Sequence, residues 1–324
     1  MQDVAAAALG ARSEGRALAL ARAVNLRGLG SRRPDQAALF DGTGPVHGGL
    51  LGGVADDAIA ASAARAPACE VLPVQIGDQP AVRAGLACGG AADVVVQDLR
   101  LVPPAWWQAL LDREPAALVT PLDTGTSRVV TSRDRHPLPT DGGSDSGGDA
   151  DVAARLRQGR TSSTMVDGEL VEVWWPTPRV LVLGPADLAG ALRRQAELLG
   201  WTADLDDGDP GSADAAEALG PADALVVLTH DHELATPALA AALTGRAGYV
   251  GALGSRHTQS ERRAALADRG VPSDQIARLH GPVGLDLGAR SPEEQALAIC
   301  AEIVANRSGR TAGALRDSTG PING

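Results

Sequence analysis

With 324 residues, 44% of them hydrophobic, the chain is long enough for two domains that each bury a core. A net charge of −11 argues against a broad nucleic-acid face. All 29 basic residues are arginine, which excludes Schiff-base lysine chemistry and the lysine of a phosphate-binding P-loop.

The first stretch, MQDVAAAALGARSEGRALALARAV, is alanine-rich and broken by charge, without the basic start and apolar centre of a signal peptide. No run approaches the roughly 20 apolar residues of a membrane helix, so a soluble cytoplasmic protein is expected. Arg16 to Leu26 reads as helix running into strand. Gly28 to Arg33 is a glycine-rich turn, and Ala37 to Phe40 a strand that enters the hairpin turn Asp41-Gly42-Thr43-Gly44. GGLLGG, from Gly48 to Gly53, opens onto a helical segment, Val54 to Ile59. The pair Gly52-Gly53 at a helix start can leave backbone N–H groups facing an anion. A packed turn has the same look, and on the residues alone it is the favoured reading.

Three cysteines, Cys69, Cys88 and Cys300, are far apart and support neither a disulfide framework nor a zinc site. Cys69 reads as structural. Gly85-Leu86-Ala87-Cys88-Gly89-Gly90 precedes the strand Ala92 to Val96. A cysteine between glycines is open to a bulky ligand, the setting in which a thiol ligates or transfers sulfur. A small buried hydrophobe beside a turn is the competing reading. Leu101 to Thr120 supplies a helix around Trp106-Trp107 and a strand from Ala116. Residues 133–151, rich in Asp, Gly, Ser and Pro, cannot pack a core and read as a loop or disordered insertion. Gly168 to Trp175 is a strand, and Pro176-Thr177-Pro178 links to a second domain. The expected division is 1–175 and 176–310, with a tail from 311 to 324.

The second domain alternates strand and helix: strands at Arg179–Leu183, Trp201–Leu205, Ala224–Thr229 and Gly248–Leu253. That order predicts an α/β doubly wound parallel sheet, Rossmann-like, behind an α+β first domain. The first strand ends in Gly184-Pro185-Ala186-Asp187-Leu188-Ala189. A dinucleotide fingerprint needs glycine where Ala186 stands, and Asp187 sets an anion against any phosphate there. Asp206 or Asp207 is at the distance for a ribose contact, so NAD(P) is open but disfavoured. Thr229-His230-Asp231-His232 reads as a hydrogen-bonded turn rather than a metal site. Gly254-Ser255-Arg256 is a tight turn into a helix starting near Thr258. Arg256, His257, Arg262 and Arg263 can meet an anionic ligand, although arginine faces of helices are commonly just solvated. Ser291-Pro292-Glu293-Glu294 has capping-box spacing, and Cys300 falls on the buried stripe of that helix.

The phrases YVGALGSRHT, HGPVGLDLGARSPEE and AEIVANRSG, with GLACGG earlier in the chain, resemble the XdhC/CoxI family in order and spacing. Those proteins are accessory factors for xanthine dehydrogenase and related molybdenum hydroxylases. The resemblance implies a carrier rather than an enzyme. Such a carrier binds molybdenum cofactor, protects it during sulfuration and delivers it to an apo-hydroxylase, with a cysteine desulfurase as second partner and a homodimer open. Its implied cofactor-binding residues are Cys88, Gly89, Gly90, Gly52 and Gly53, with Gly184, Gly254, Ser255 and Arg256 in the second domain. The chain departs from the family's SGGC phrase: Leu51-Gly52-Gly53-Val54 has valine in the cysteine position, so no thiolate acts there. The rival readings are an NAD(P)-dependent oxidoreductase and a binding scaffold for the hydroxylase.

Overall fold

The computed structural model describes residues 1–29, 36–131, 147–184, 186–206 and 211–317. Gly30 to Arg33 of the glycine-rich turn, most of the acidic stretch at 133–151, Pro185, Asp207 and the last residues of the tail lie outside them. The chain divides into two compact units: Met1–Leu156 with Arg160–Pro176, and Thr177–Gly324 with Arg157–Gly159.

The first unit runs α1 (Gln2–Ser13), β1 (Ala19–Gly28), β2 (Ala37–Asp41), β3 (Gly44–Gly48), α2 (Asp56–Ala64), β4 (Cys69–Ile76), α3 (Asp78–Arg83) and β5 (Gly90–Asp98). It continues through α4 (Pro104–Leu111), β6 (Ala116–Pro121), β7 (Arg128–Thr131), α5 (Gly147–Arg157), β8 (Ser162–Val166) and β9 (Glu169–Trp174). Two antiparallel sheets result, in the orders β3-β2-β1-β5-β4 and β7-β6-β9-β8. The stretch Arg16–Leu26, expected as helix running into strand, is strand from Ala19 onward, the central strand β1, and the helix lies earlier, in α1. Alanine, leucine and arginine favour helix, but β1 pairs with β2 on one side and β5 on the other. Tertiary pairing of that kind overrides a weak local preference. Alternate residues of β1 then enter two cores. Leu20 joins α1 and the Trp106-Trp107 pair of α4, while Ala19, Ala21 and Ala23 join Phe40 and Ile59 on the α2 side. The last part of the acidic stretch begins α5 rather than continuing as loop.

In the second unit β10 (Arg179–Leu183), α6 (Ala186–Leu198), β11 (Thr202–Asp206), α7 (Ser212–Glu217) and β12 (Ala224–Val227) are followed by α8 (His232–Thr244) and β13 (Tyr249–Ala252). Then come α9 (Arg256–Asp268), α10 (Ser273–Ile276), β14 (Leu279–His280) and α11 (Pro292–Ser308). Every strand pair is parallel, in the order β11-β10-β12-β13-β14. This is the doubly wound arrangement read from the sequence, with its order reversing between β10 and β12. The inner strands β10, β12 and β13 are buried on both faces, whereas the edge strand β11 is largely exposed. Leu181, Leu183, Leu225 and Val227 pack under α7, α8 and α9, while Val180, Val182, Ala224 and Val226 pack under α6 and α11. Cys300 lies in that second layer, and burial lifts its thiol to about 12. The capping box at Ser291 is formed in full: its hydroxyl accepts from Glu294 N–H, and Glu294 accepts from the Ser291 N–H.

Candidate functional site

In the first unit, one end of the five-stranded sheet gathers the glycine motifs. Gly28, at the end of β1, pairs with Gly90, at the start of β5, and the Leu29 N–H donates to the Gly89 carbonyl at 3.3 Å. A methyl on Gly90 would run into the Arg27 carbonyl, and one on Gly89 would come within 2.7 Å of the Ile76 carbonyl. Both glycines are therefore required by backbone packing within this chain. The Gly89 N–H is engaged as well, donating to Asp78 Oδ1 at 2.9 Å. The preceding residue, Cys88, is exposed. An exposed cysteine thus stands at one end of the sheet beside tightly packed neighbours.

Gly52 and Gly53 close a short 3-10 turn ahead of α2, and both have left-handed φ values. A methyl on Gly52 would strike the Ala84 carbonyl, so this turn lies against the end of the α3 segment that leads into Gly85–Gly90. The structure thus brings the two glycine motifs of the first unit side by side. Of the two amides expected to face an anion, that of Gly53 donates to the Leu50 carbonyl at 2.8 Å. Val54, in the position of the family's cysteine, is 38% exposed. Beside it is a residue the sequence did not single out. Asp56 has Oδ1 buried without a hydrogen-bond partner, and burial, aided by the charge of Asp57, raises its carboxyl above the usual range.

In the second unit the candidate residues lie at the carboxyl edge of the parallel sheet, where α/β folds receive ligands. Gly184 has φ +125°, and a methyl there would stand 2.6 Å from the Thr229 nitrogen. Glycine is needed at this point because the ends of β10 and β12 meet. Asp187 occupies the first turn of α6. After β12, Asp231 caps α8 by accepting from the N–H groups of Glu233 and Leu234, and its own N–H donates to Thr229 Oγ1 at 3.1 Å. That segment is the hydrogen-bonded turn expected from Thr229-His230-Asp231. Asp206, the residue at ribose distance, accepts from Ser212 Oγ at 2.9 Å.

The turn after β13 has a different character. Gly254 has φ +135°, and Ser255 caps α9, its Oγ accepting from the Thr258 N–H at 3.2 Å. The helix starts at Arg256, two residues earlier than its sequence suggested, and its first turn holds no acid. Arg256 and His257 are exposed. His257 Nε2 lies 3.3 Å from Glu261. Arg262 and Arg263 are not a solvated face. Arg263 donates to the Leu279 carbonyl at 2.9 Å. Arg262 is 1% exposed and donates to the carbonyls of Leu253 and Thr229, which end β13 and follow β12. Burial pulls its pKa below the usual arginine value. Its third nitrogen, Nε, is buried with no partner.

A second cluster, also unread from sequence, sits on the α11 side of the sheet. Glu302 accepts from Tyr249 Oη at 2.6 Å, from the Gly284 N–H at 2.7 Å and from His280 Nδ1 at 3.0 Å, while the Tyr249 and His280 rings stack 4.5 Å apart. Burial opposes ionisation of Glu302, but the hydrogen bonds from His280, Tyr249 and Gly284 outweigh it and hold the carboxyl below the usual range. Burial, with Glu302 second, pushes the Tyr249 phenol upward. These four residues come from β13, β14, the following loop and α11, so no local spacing announces them.

Comparison with known proteins places this geometry. Residues 180–303 match the family described as the XdhC Rossmann domain. The chain is 30% identical over 132 residues to the molybdenum cofactor insertion chaperone PaoD of Escherichia coli, a match covering 41% of each protein. It is 34% identical over 73 residues to the uncharacterized protein YqeB of the same organism, covering 22% of this chain and 14% of that one. The matches thus span about two fifths of PaoD and less of YqeB. A solved structure named as a xanthine dehydrogenase from Bacillus halodurans superposes over 97% of this chain and 98% of that one, with a TM-score of 0.53 at 18% identity. At that identity the likeness is one of fold. The doubly wound second unit is thus the part of the chain that matches the XdhC Rossmann domain.

Proposed function

We propose that this protein binds molybdenum cofactor and delivers it to the apo-form of a molybdenum hydroxylase of the xanthine dehydrogenase type. The observation that carries the reading is the match to PaoD, a molybdenum cofactor insertion chaperone, together with the match of residues 180–303 to the XdhC Rossmann domain. The geometry supports a carrier in the first unit. A bound cofactor brings a soft metal–sulfur centre, which an exposed thiol can meet, and Cys88 is exposed beside packed glycines. Val54 brings no thiol, so Cys88 is the sulfur ligand assigned here. Gly89 and Gly90 stand beside Cys88, and Gly52 with Gly53 forms the neighbouring wall. In the second unit Gly254, Ser255 and Arg256 face the carboxyl edge, with Gly184 as a packing glycine. Sulfuration of the carried cofactor implies a cysteine desulfurase as a further partner. A homodimer and a cytoplasmic setting belong to the same reading. No helix among the described residues is long and apolar enough to cross a membrane.

Anaerobic titration of the full chain with molybdenum cofactor tests this, on wild type and Cys88→Ala. Binding at about micromolar Kd, weakened about tenfold or more in the variant, is the expected result. Absence of binding by wild type, beside intact association with a hydroxylase, would leave a scaffold in place of a carrier. NADPH binding in place of the cofactor would move the assignment to an oxidoreductase.

A further inference from the structure

In the second unit the helices α6, α8 and α9 follow β10, β12 and β13 at the carboxyl edge of the parallel sheet. The first turn of α6 contains Asp187. The first turn of α8 contains Glu233, and its amides are capped by Asp231. Each of those N-termini already carries its own negative charge, which opposes a second anion. α9 carries none: its first turn has Arg256 and His257, and its cap is the neutral Ser255. The first amides of a helix have no partner within it, and Ser255 Oγ takes only that of Thr258.

An independent observation lies directly beneath. The Arg262 side chain runs back along α9 to the carbonyls of Leu253 and Thr229, so its guanidinium sits under the Gly254-Ser255 turn that opens the helix. It is a positive charge in the interior whose two terminal nitrogens are held by carbonyl dipoles and by no carboxylate among the described residues. Buried charges are ordinarily paired, and the other fully buried arginine among the described residues, Arg22, is paired with Glu172 at 2.5 Å. A cation left open under a helix N-terminus, at the ligand edge of the sheet, lacks its anion.

We infer that the turn Gly254-Ser255-Arg256-His257, backed by the buried Arg262, is a binding site for a phosphate monoester. The backbone amides at the start of α9 and the Arg256 side chain contact the phosphate. Arg262 holds the ends of β12 and β13 in place and supplies positive field from below, which makes it a positioning residue. Phosphate monoesters occur on the pterin of molybdenum cofactor and on nucleotides such as NADPH. The identity of the biological ligand as the cofactor rests on the carrier reading above, whereas the phosphate chemistry does not.

The test is titration of the full chain with inorganic phosphate at constant ionic strength, followed by backbone amide NMR, on wild type, Arg256→Asp and Asp187→Asn. Arg256 is exposed, so Arg256→Asp leaves the core untouched while placing a carboxylate in the first turn. Saturable shifts centred on Gly254 to Thr258 are expected, weakened about tenfold in Arg256→Asp and unchanged in Asp187→Asn. Shifts centred on Gly184 to Ala189, or equal affinity in Arg256→Asp, overturn the assignment. Parallel titrations with molybdenum cofactor and NADPH separate the sources. Cofactor binding indifferent to Arg256→Asp removes this site and leaves the carrier reading standing. Phosphate held at α9 with no cofactor binding does the reverse.

Discussion

Among the described residues two fully buried arginines put the same charge to opposite uses. Arg22, in β1, donates to Glu172 at 2.5 Å and to Gln97 at 2.5 Å, and Gln97 in turn donates to Ser127 and the Gly125 carbonyl. Its charge is cancelled inside the protein, and the network ties β1 to β9 across the two sheets of the first unit. Arg262 has carbonyls alone. Burial by itself therefore does not identify a functional charge. The informative property is whether the surroundings supply the opposite charge or leave it to be supplied.

Breaking the closed network has the largest expected effect. Arg22→Met leaves Glu172 buried without a counter-charge and costs about 3–5 kcal/mol, whereas Arg22→Met with Glu172→Leu recovers most of that loss. Urea denaturation followed by tryptophan fluorescence reads it, because Trp106, Trp107, Trp174 and Trp175 all lie in the first unit. Equal losses in the single and double variants would show that the pair contributes packing only.

The open charge should behave differently. Arg262→Met strands two carbonyls but no carboxylate, and a smaller loss of about 1–3 kcal/mol is expected. Phosphate stabilises folded chains generally, so wild type should gain more thermal stability from phosphate over chloride at matched ionic strength than Arg262→Met does. A gain of the same size in both contradicts the distinction between the two arginines.

Glu302 sharpens the comparison with a buried anion. Its folded pKa is depressed from the ordinary 4.5, so its stabilisation is fully present above that value and is lost as pH falls through the lower folded value. Glu302→Gln should flatten the acid limb of a stability-against-pH curve below about pH 4.5. A curve parallel to wild type rules this out.

The smallest effect has the opposite sign. Arg256→Asp adds an anion to the first turn of α9 and should stabilise the chain by about 0.3–1 kcal/mol while weakening phosphate binding. Lower stability would mean that Arg256 serves the fold.

Much of the second unit was legible because its strands are short apolar runs separated by helices of ordinary length. The central strands β10 and β12 alternate their leucines and valines between two helical layers, so pattern and topology agree. The first part of β1 was misread as helix because its composition suits one and only its pairing on both sides makes it a strand. The glycine motifs were visible, but the partners their backbones pack against were not: Gly52 meets Ala84, and Gly89 meets Asp78. Arg262 could be named from sequence, yet its burial depends on carbonyls 9 and 33 residues away. The Tyr249–His280–Glu302 cluster assembles over similar separations. Local chemistry is written in the chain, and charge compensation across a fold is not.

The most direct test of the carrier reading is transfer. The chain is loaded with molybdenum cofactor under anaerobic conditions, freed of unbound cofactor and mixed with a purified apo-hydroxylase of the xanthine dehydrogenase type. The rate of enzyme activation is then compared with that from free cofactor at the same concentration. Faster activation from the loaded chain, reduced in Cys88→Ala, is the predicted result. Activation no faster than from free cofactor, or a chain that retains none, contradicts it.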